Sequence, residues 1–158
     1  IKPQENRIGL TPSSIKTLIS EGHEVLIENN GGFEAGFEND QYLKAGAKII
    51  DKAEDIFNDA DIIVKVKEPQ PNEVKMIKEN QIMFTYLHLA AAKELTEGLI
   101  KSKGVCVAYE TVTDDNGRLP LLQALHLERL LIKYLYLFDF FLNNVHLLEL
   151  TFFQQQHS

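Results

Sequence analysis

Apolar positions Ile15, Leu18 and Ile19 recur at helical spacing behind Thr11-Pro12, and the pattern stops at Gly22. Thr11 can cap such a helix, Pro12 suits its first position, and Gly22 can take the left-handed conformation just past its end. Residues 23–28 (HEVLIE) then read as a strand, followed by an Asn- and Gly-rich loop over 29–36. A short helix is predicted over 40–45, a short strand over 47–50 and a helix over 51–58. The runs 61–66 (DIIVKV) and 81–86 (QIMFTY) are short, rich in β-branched or aromatic residues and bounded by turn or helix signals. Strands buried on both faces look like this. Between them 71–79 is helical in pattern; 90–102 is a further helix, and 105–109 a last strand after Gly104. Strands alternating with helices imply parallel pairing through right-handed crossovers, and so a doubly wound α/β domain with a mainly parallel sheet.

The pattern changes near Gln123. All nine glycines and five prolines lie at or before Pro120, whereas residues 124–158 hold ten leucines and five phenylalanines. Gly and Pro punctuate the loops of an α/β chain, so their loss marks a boundary. We divide the chain into a domain over 1–123 and a leucine-rich tail over 124–158, expected to be helical over 125–142 and to associate. The apolar stretch 130–142 has 13 residues, short of the ~20 that a membrane-spanning helix needs. No membrane span is expected.

At 158 residues, 44% apolar and 25% charged, the chain fits one globular domain. The formal charge of −7 comes without any basic stripe, which argues against a nucleic-acid partner. The single cysteine, Cys106, excludes an internal disulfide and suits a reducing cytosol. The opening residues IKPQE contain neither a methionine nor an apolar run, so no signal peptide is expected and the chain reads as starting inside a longer protein.

In parallel α/β sheets ligands bind beyond the carboxyl ends of the strands. Lys67 stands at the end of DIIVKV, His88 just after QIMFTY, and Arg7 shortly before the first helix. Arg and Lys together suit a small carboxylate, the guanidinium gripping both oxygens and the ammonium adding a point charge. His88 adds a group that titrates near neutrality, as proton transfer at pH 7 requires. Spacing alone leaves the plainer readings open: Arg7 and Lys67 as solvated surface residues, and His88 as a core or loop histidine. No metal-ligand spacing and no G-x-S-x-G elbow occurs. G-x-G-x-x-G is also missing; the densest glycine cluster, Gly31-Gly32 with Gly36, has the wrong spacing and reads as a surface loop.

The segments 1–12 (IKPQENRIGLTP), 22–28 (GHEVLIE), 63–69 (IVKVKEP) and 84–91 (FTYLHLAA), continued by 109–112 (YETV) and 119–122 (LPLL), resemble the amino-terminal substrate domain of bacterial alanine dehydrogenases. The resemblance implies a Rossmann-like, flavodoxin-like fold and NAD-dependent oxidative deamination of L-alanine to pyruvate and ammonia in a cytoplasmic homo-oligomer. By the same resemblance Arg7 binds the substrate carboxylate, Lys67 contacts the substrate and His88 is the catalytic proton donor and acceptor. The transhydrogenase α subunit shares the fold, but its pattern lacks a histidine at position 88 and the YETV sequence. The family pattern also has a first strand ahead of Ile1, a different continuation after LPLL, and a nucleotide-binding domain with a glycine-rich loop and a catalytic aspartate. None of these has a counterpart here. Two readings follow: a dehydrogenase by descent whose isolated chain is inactive, or a non-catalytic remnant that binds a carboxylate or other subunits.

Overall fold

A computed structural model of the protein describes residues 6–119. The expected helix over 125–142 and the whole of the proposed tail, 124–158, lie outside the described residues.

The first helix, α1 (Pro12–Ser20), forms as its capping residues dictate. The Thr11 hydroxyl accepts from the Ser14 amide at 3.2 Å, the Thr11 amide donates back to the Ser14 hydroxyl, and Pro12 occupies the first turn. At its other end Gly22 has φ 91°, and the His23 amide donates to the Leu18 carbonyl at 3.0 Å. This is a Schellman closure, and it explains a difference from the expected strand. Residue 23 is committed to ending α1, so β1 is confined to Leu26–Glu28. Ile15 and Leu18 are buried on the inner face, each contributing about 1.5–3 kcal/mol.

There follow α2 (Asn39–Lys44), β2 (Lys48–Ile50), α3 (Ala53–Asp59), β3 (Ile62–Val64), α4 (Pro71–Val74), β4 (Ile82–Thr85), α5 (Lys93–Ser102) and β5 (Val105–Ala108). Single 3-10 turns at Phe33–Ala35, Leu89–Ala91 and Tyr109–Thr111 complete the described residues. The helix expected over 71–79 stops at Val74; the chain then turns, and Ile77 drops into the core beside Met83 and Leu99.

All strand pairings are parallel, as expected, but the sheet is not continuous. β1 pairs with β2, Ile27 opposite Ile49. Separately, β3, β4 and β5 form a three-stranded sheet with Met83 opposite both Ile63 and Cys106. The expected α/β fold with parallel strands is thus present, and the described strands fall into two parallel sheets, β1-β2 and β3-β4-β5. Among the described residues no strand joins β1 to β3. Both strands line a cavity of about 1100 Å³. The core divides similarly: Ile15, Val25, Tyr42, Phe84 and Tyr109 belong to one cluster, and Phe57, Ile63, Ile77, Met83 and Leu99 to another.

Candidate functional site

Three connections leave the carboxyl ends of β3, β4 and β5, and buried side chains tie them to one another. The Thr85 hydroxyl, at the end of β4, donates to the Lys67 carbonyl at 2.8 Å. The buried Tyr109 hydroxyl donates to the neighbouring Val66 carbonyl. Both bonds hold the segment after β3 across the end of β4.

The segment after β4 is held from β5. Glu110 lies in the turn that follows β5, and its Oε1 accepts from the backbone amides of Leu87 and His88 at 3.0 and 2.9 Å. His88 itself is left-handed, at φ 51° and ψ 41°. A residue with a Cβ pays for this conformation, although histidine enters it more readily than most. The two charge-assisted bonds keep the backbone there. The other carboxylate oxygen, Glu110 Oε2, is buried without a hydrogen-bond partner among the described residues.

Tyr86 is the surface on which the site is assembled. The Lys67 ammonium lies 4.6 Å from the centre of its ring. The imidazole of His88 stacks near it, with ring centroids 5.8 Å apart and planes inclined by 17°. The Tyr86 hydroxyl also lies 3.4 Å from His88 Nδ1. The cation–π contact is worth roughly 0.5–1 kcal/mol at such a site and fixes where the positive charge stands. His88 is exposed and Lys67 half-buried, so the plain reading of His88 as a core residue is set aside.

Arg7 and Lys67 both line the cavity between β1 and β3. The chain around Arg7 is close-packed there: a Cβ on Gly9 would come within 3.0 Å of Val64 Cγ1. His88 does not line this cavity. Lys67 thus belongs both to the cavity lining, which includes Arg7, and to the grouping with Tyr86 and His88.

Two residues escaped the sequence reading. Tyr86 was legible only through its place two positions from His88, since residues i and i+2 of an extended chain share a side. Glu110 stood inside the YETV segment, but nothing local gave it a role. Lys65, which resembles Lys67 in sequence, is taken up structurally by the buried carboxylate of Glu73.

The glycine cluster does not fit a dinucleotide. A Cβ on Gly32 would meet the Tyr42 ring at 2.5 Å, and one on Gly31 would meet the Glu28 carbonyl at 2.9 Å. These glycines are small because their own loop packs against them, which leaves no cradle for a pyrophosphate. Among the described residues no group of three His, Cys, Asp or Glu side chains could hold a metal ion. No helix among them is long and apolar enough to cross a membrane.

A mixed α/β fold with parallel sheets, carrying polar side chains at the carboxyl ends of its strands, defines a Rossmann-like class of small-ligand domain. Within that class, the family model described as alanine dehydrogenase/PNT, N-terminal domain, matches residues 1–126. The chain belongs to this family. It is 49% identical over 122 residues to an alanine dehydrogenase of Staphylococcus epidermidis, covering 77% of this chain and 33% of that protein. It is 50% identical over 124 residues to the alanine dehydrogenase of Bacillus subtilis, covering 77% and 32%. A solved L-alanine dehydrogenase superposes with a TM-score of 0.76 at 48% identity, covering 78% of this chain and 34% of that one. A transhydrogenase from Sinorhizobium meliloti gives 0.65 at 26% identity, covering 69% and 32%. The chain spans about a third of the length of the curated relatives it matches.

Proposed function

We propose that this chain is the substrate-binding part of a cytoplasmic, NAD-dependent alanine dehydrogenase, which converts L-alanine to pyruvate and ammonia and back. The observation that carries the reading is the grouping of Lys67, Tyr86 and His88 beyond the carboxyl ends of β3 and β4, in a chain of this family. In this reading Arg7 and Lys67 hold the carboxylate shared by alanine and pyruvate, one by a bidentate grip and one as a point charge. Tyr86 keeps the Lys67 ammonium beside the imidazole, and His88 takes or returns the proton exchanged with the substrate. The left-handed backbone held by Glu110 sets the direction from which that imidazole approaches.

NAD serves as hydride acceptor in such a reaction, and among the described residues the glycine cluster offers it no site. The isolated 158-residue chain is therefore expected to bind substrate without turning it over, because hydride transfer needs a nicotinamide held against the substrate carbon. We further propose that residues 1–123 form the substrate domain and that 124–158 stand outside it. The weaker likeness to a transhydrogenase is outweighed by His88 and by the YETV segment, both foreign to that pattern.

Titration of the full chain with pyruvate, followed by NMR, tests the site. Resonances of Lys67, Tyr86 and His88 should shift together. Lys67→Ala and Arg7→Ala should each weaken binding roughly tenfold to a hundredfold, the value of a charge-assisted hydrogen bond of ~1.5–3 kcal/mol. Pyruvate that leaves those resonances unmoved would end this assignment. NADH formation at saturating alanine and NAD, above a blank and surviving repurification, would overturn the expected lack of turnover.

A further inference from the structure

Two adjacent residues, Thr85 and Tyr86, hold Lys67 at both of its ends. β4 finishes at Thr85, which has no exposed surface, and Tyr86 follows it half-buried. Neighbours along an extended chain point to opposite sides. Thr85 turns inward, and its hydroxyl donates to the Lys67 carbonyl at 2.8 Å. Tyr86 offers its ring to the other end of the same lysine, with the ammonium 4.6 Å from the ring centre.

The Thr85 hydroxyl acts where backbone pairing gives way to side chains. The ladder between β3 and β4 runs on to Lys65, whose amide donates to the Phe84 carbonyl at 3.0 Å. The next two carbonyls, of Val66 and Lys67, accept from the hydroxyls of Tyr109 and Thr85. A hydroxyl this deeply buried is costly without a partner, whereas valine has nearly the same shape and needs none. Packing alone therefore gives no reason for threonine here; the bond to Lys67 does. That bond matters because lysine carries its charge on a flexible four-carbon stem. Its ammonium is confined only when the backbone that launches the stem is fixed as well as the surface that receives the charge. Lys65 is confined by other means, through the buried carboxylate of Glu73.

We propose, resting on the reading that Lys67 meets the substrate carboxylate, that Thr85 is a positioning residue for that contact: through the Lys67 carbonyl it holds the ammonium over Tyr86 before substrate arrives. The flexible side chain is then ordered on folding and not at binding, and a preorganised group binds more tightly because that ordering is already done.

The test compares Thr85→Val with Thr85→Ser in the full 158-residue chain, read by NMR. In the free protein the protons next to the Lys67 ammonium should resonate upfield, because the face of the Tyr86 ring shields them. Thr85→Val should move them back towards the position of an unstacked lysine, and Thr85→Ser, which keeps the hydroxyl, should leave them in place. Pyruvate affinity should fall about threefold to tenfold in Thr85→Val, the cost of ordering one long side chain at binding, and recover in Thr85→Ser. In a Lys67→Ala background Thr85→Val should weaken pyruvate no further, since its effect passes through Lys67. Unmoved Lys67 resonances in Thr85→Val would overturn the proposal, as would an equal loss of affinity in the Lys67→Ala background, the mark of a hydroxyl that only supports the loop. Should Thr85→Val fail to fold, Thr85→Ala against Thr85→Ser gives the same comparison. A wild-type chain that binds no pyruvate would overturn the substrate role of Lys67 and Thr85 together. Pyruvate bound normally by Thr85→Val would overturn the role of Thr85 alone.

Discussion

Replacing Glu110 with alanine removes the acceptor for two backbone amides, those of Leu87 and His88. Hydrogen bonds to a charged group are worth about 1.5–3 kcal/mol each, which would give about 3–6 kcal/mol for the pair. Two effects reduce this. His88 is exposed, so its amide can turn to water once the carboxylate is gone. The substitution also deletes Glu110 Oε2, a buried oxygen without a partner among the described residues, whose burial costs the native protein about 1–3 kcal/mol. The net loss should be about 2 kcal/mol, mostly from stranding the Leu87 amide. With a urea slope of ~1–2 kcal/mol/M, the midpoint should fall by roughly 1–2 M. Urea titration of the full chain followed by circular dichroism measures it. Glu110→Gln keeps one acceptor without the charge and should lose about half as much, while leaving the His88 amide resonance near its native position. Glu110→Ala should move that resonance, because the left-handed backbone is no longer held. A midpoint unchanged to within ~0.3 M, with the His88 amide in place, would refute the claim that Glu110 organises this loop.

Three further perturbations address other parts of the fold. Glu73→Gln leaves the Lys65 ammonium, buried against Glu73, without its counter-charge and should cost about 3–5 kcal/mol, whereas a paired Lys65→Met, Glu73→Leu replacement should be far milder; equal losses in the two variants would contradict this. Burial pushes the Tyr42 hydroxyl up to about 12, so the unfolded chain releases that proton first; stability should hold below about pH 10 and fall as pH rises towards the folded value. Tyr42→Phe should flatten that alkaline decline in urea midpoints measured from pH 8 to 11, and an unchanged slope would count against it. Burial also raises the Cys106 thiol, so alkylation by iodoacetamide at pH 8 should run roughly tenfold slower than in urea-unfolded chain; equal rates would show the thiol to be open.

What the sequence determined by itself was local. Thr11, Pro12 and Gly22 specify both ends of α1 because capping involves residues within a turn of each other, and the apolar runs around Ile63 and Met83 announce buried strands without reference to anything distant. The order of those strands also located Lys67 and His88 beyond the carboxyl ends, since that follows from alternation alone. Tertiary structure decided everything that depends on segments far apart in the chain. Only pairing shows that β1 and β3 do not meet, because strand neighbours are chosen by backbone edges and not by composition. Lys65 and Lys67 are equivalent cations in a written sequence, and it is the fold that buries one against Glu73 and sets the other over Tyr86. Glu110 acts on amides 22 and 23 positions earlier, a distance across which no periodicity carries information; its role exists only because β4 and β5 lie side by side and end together.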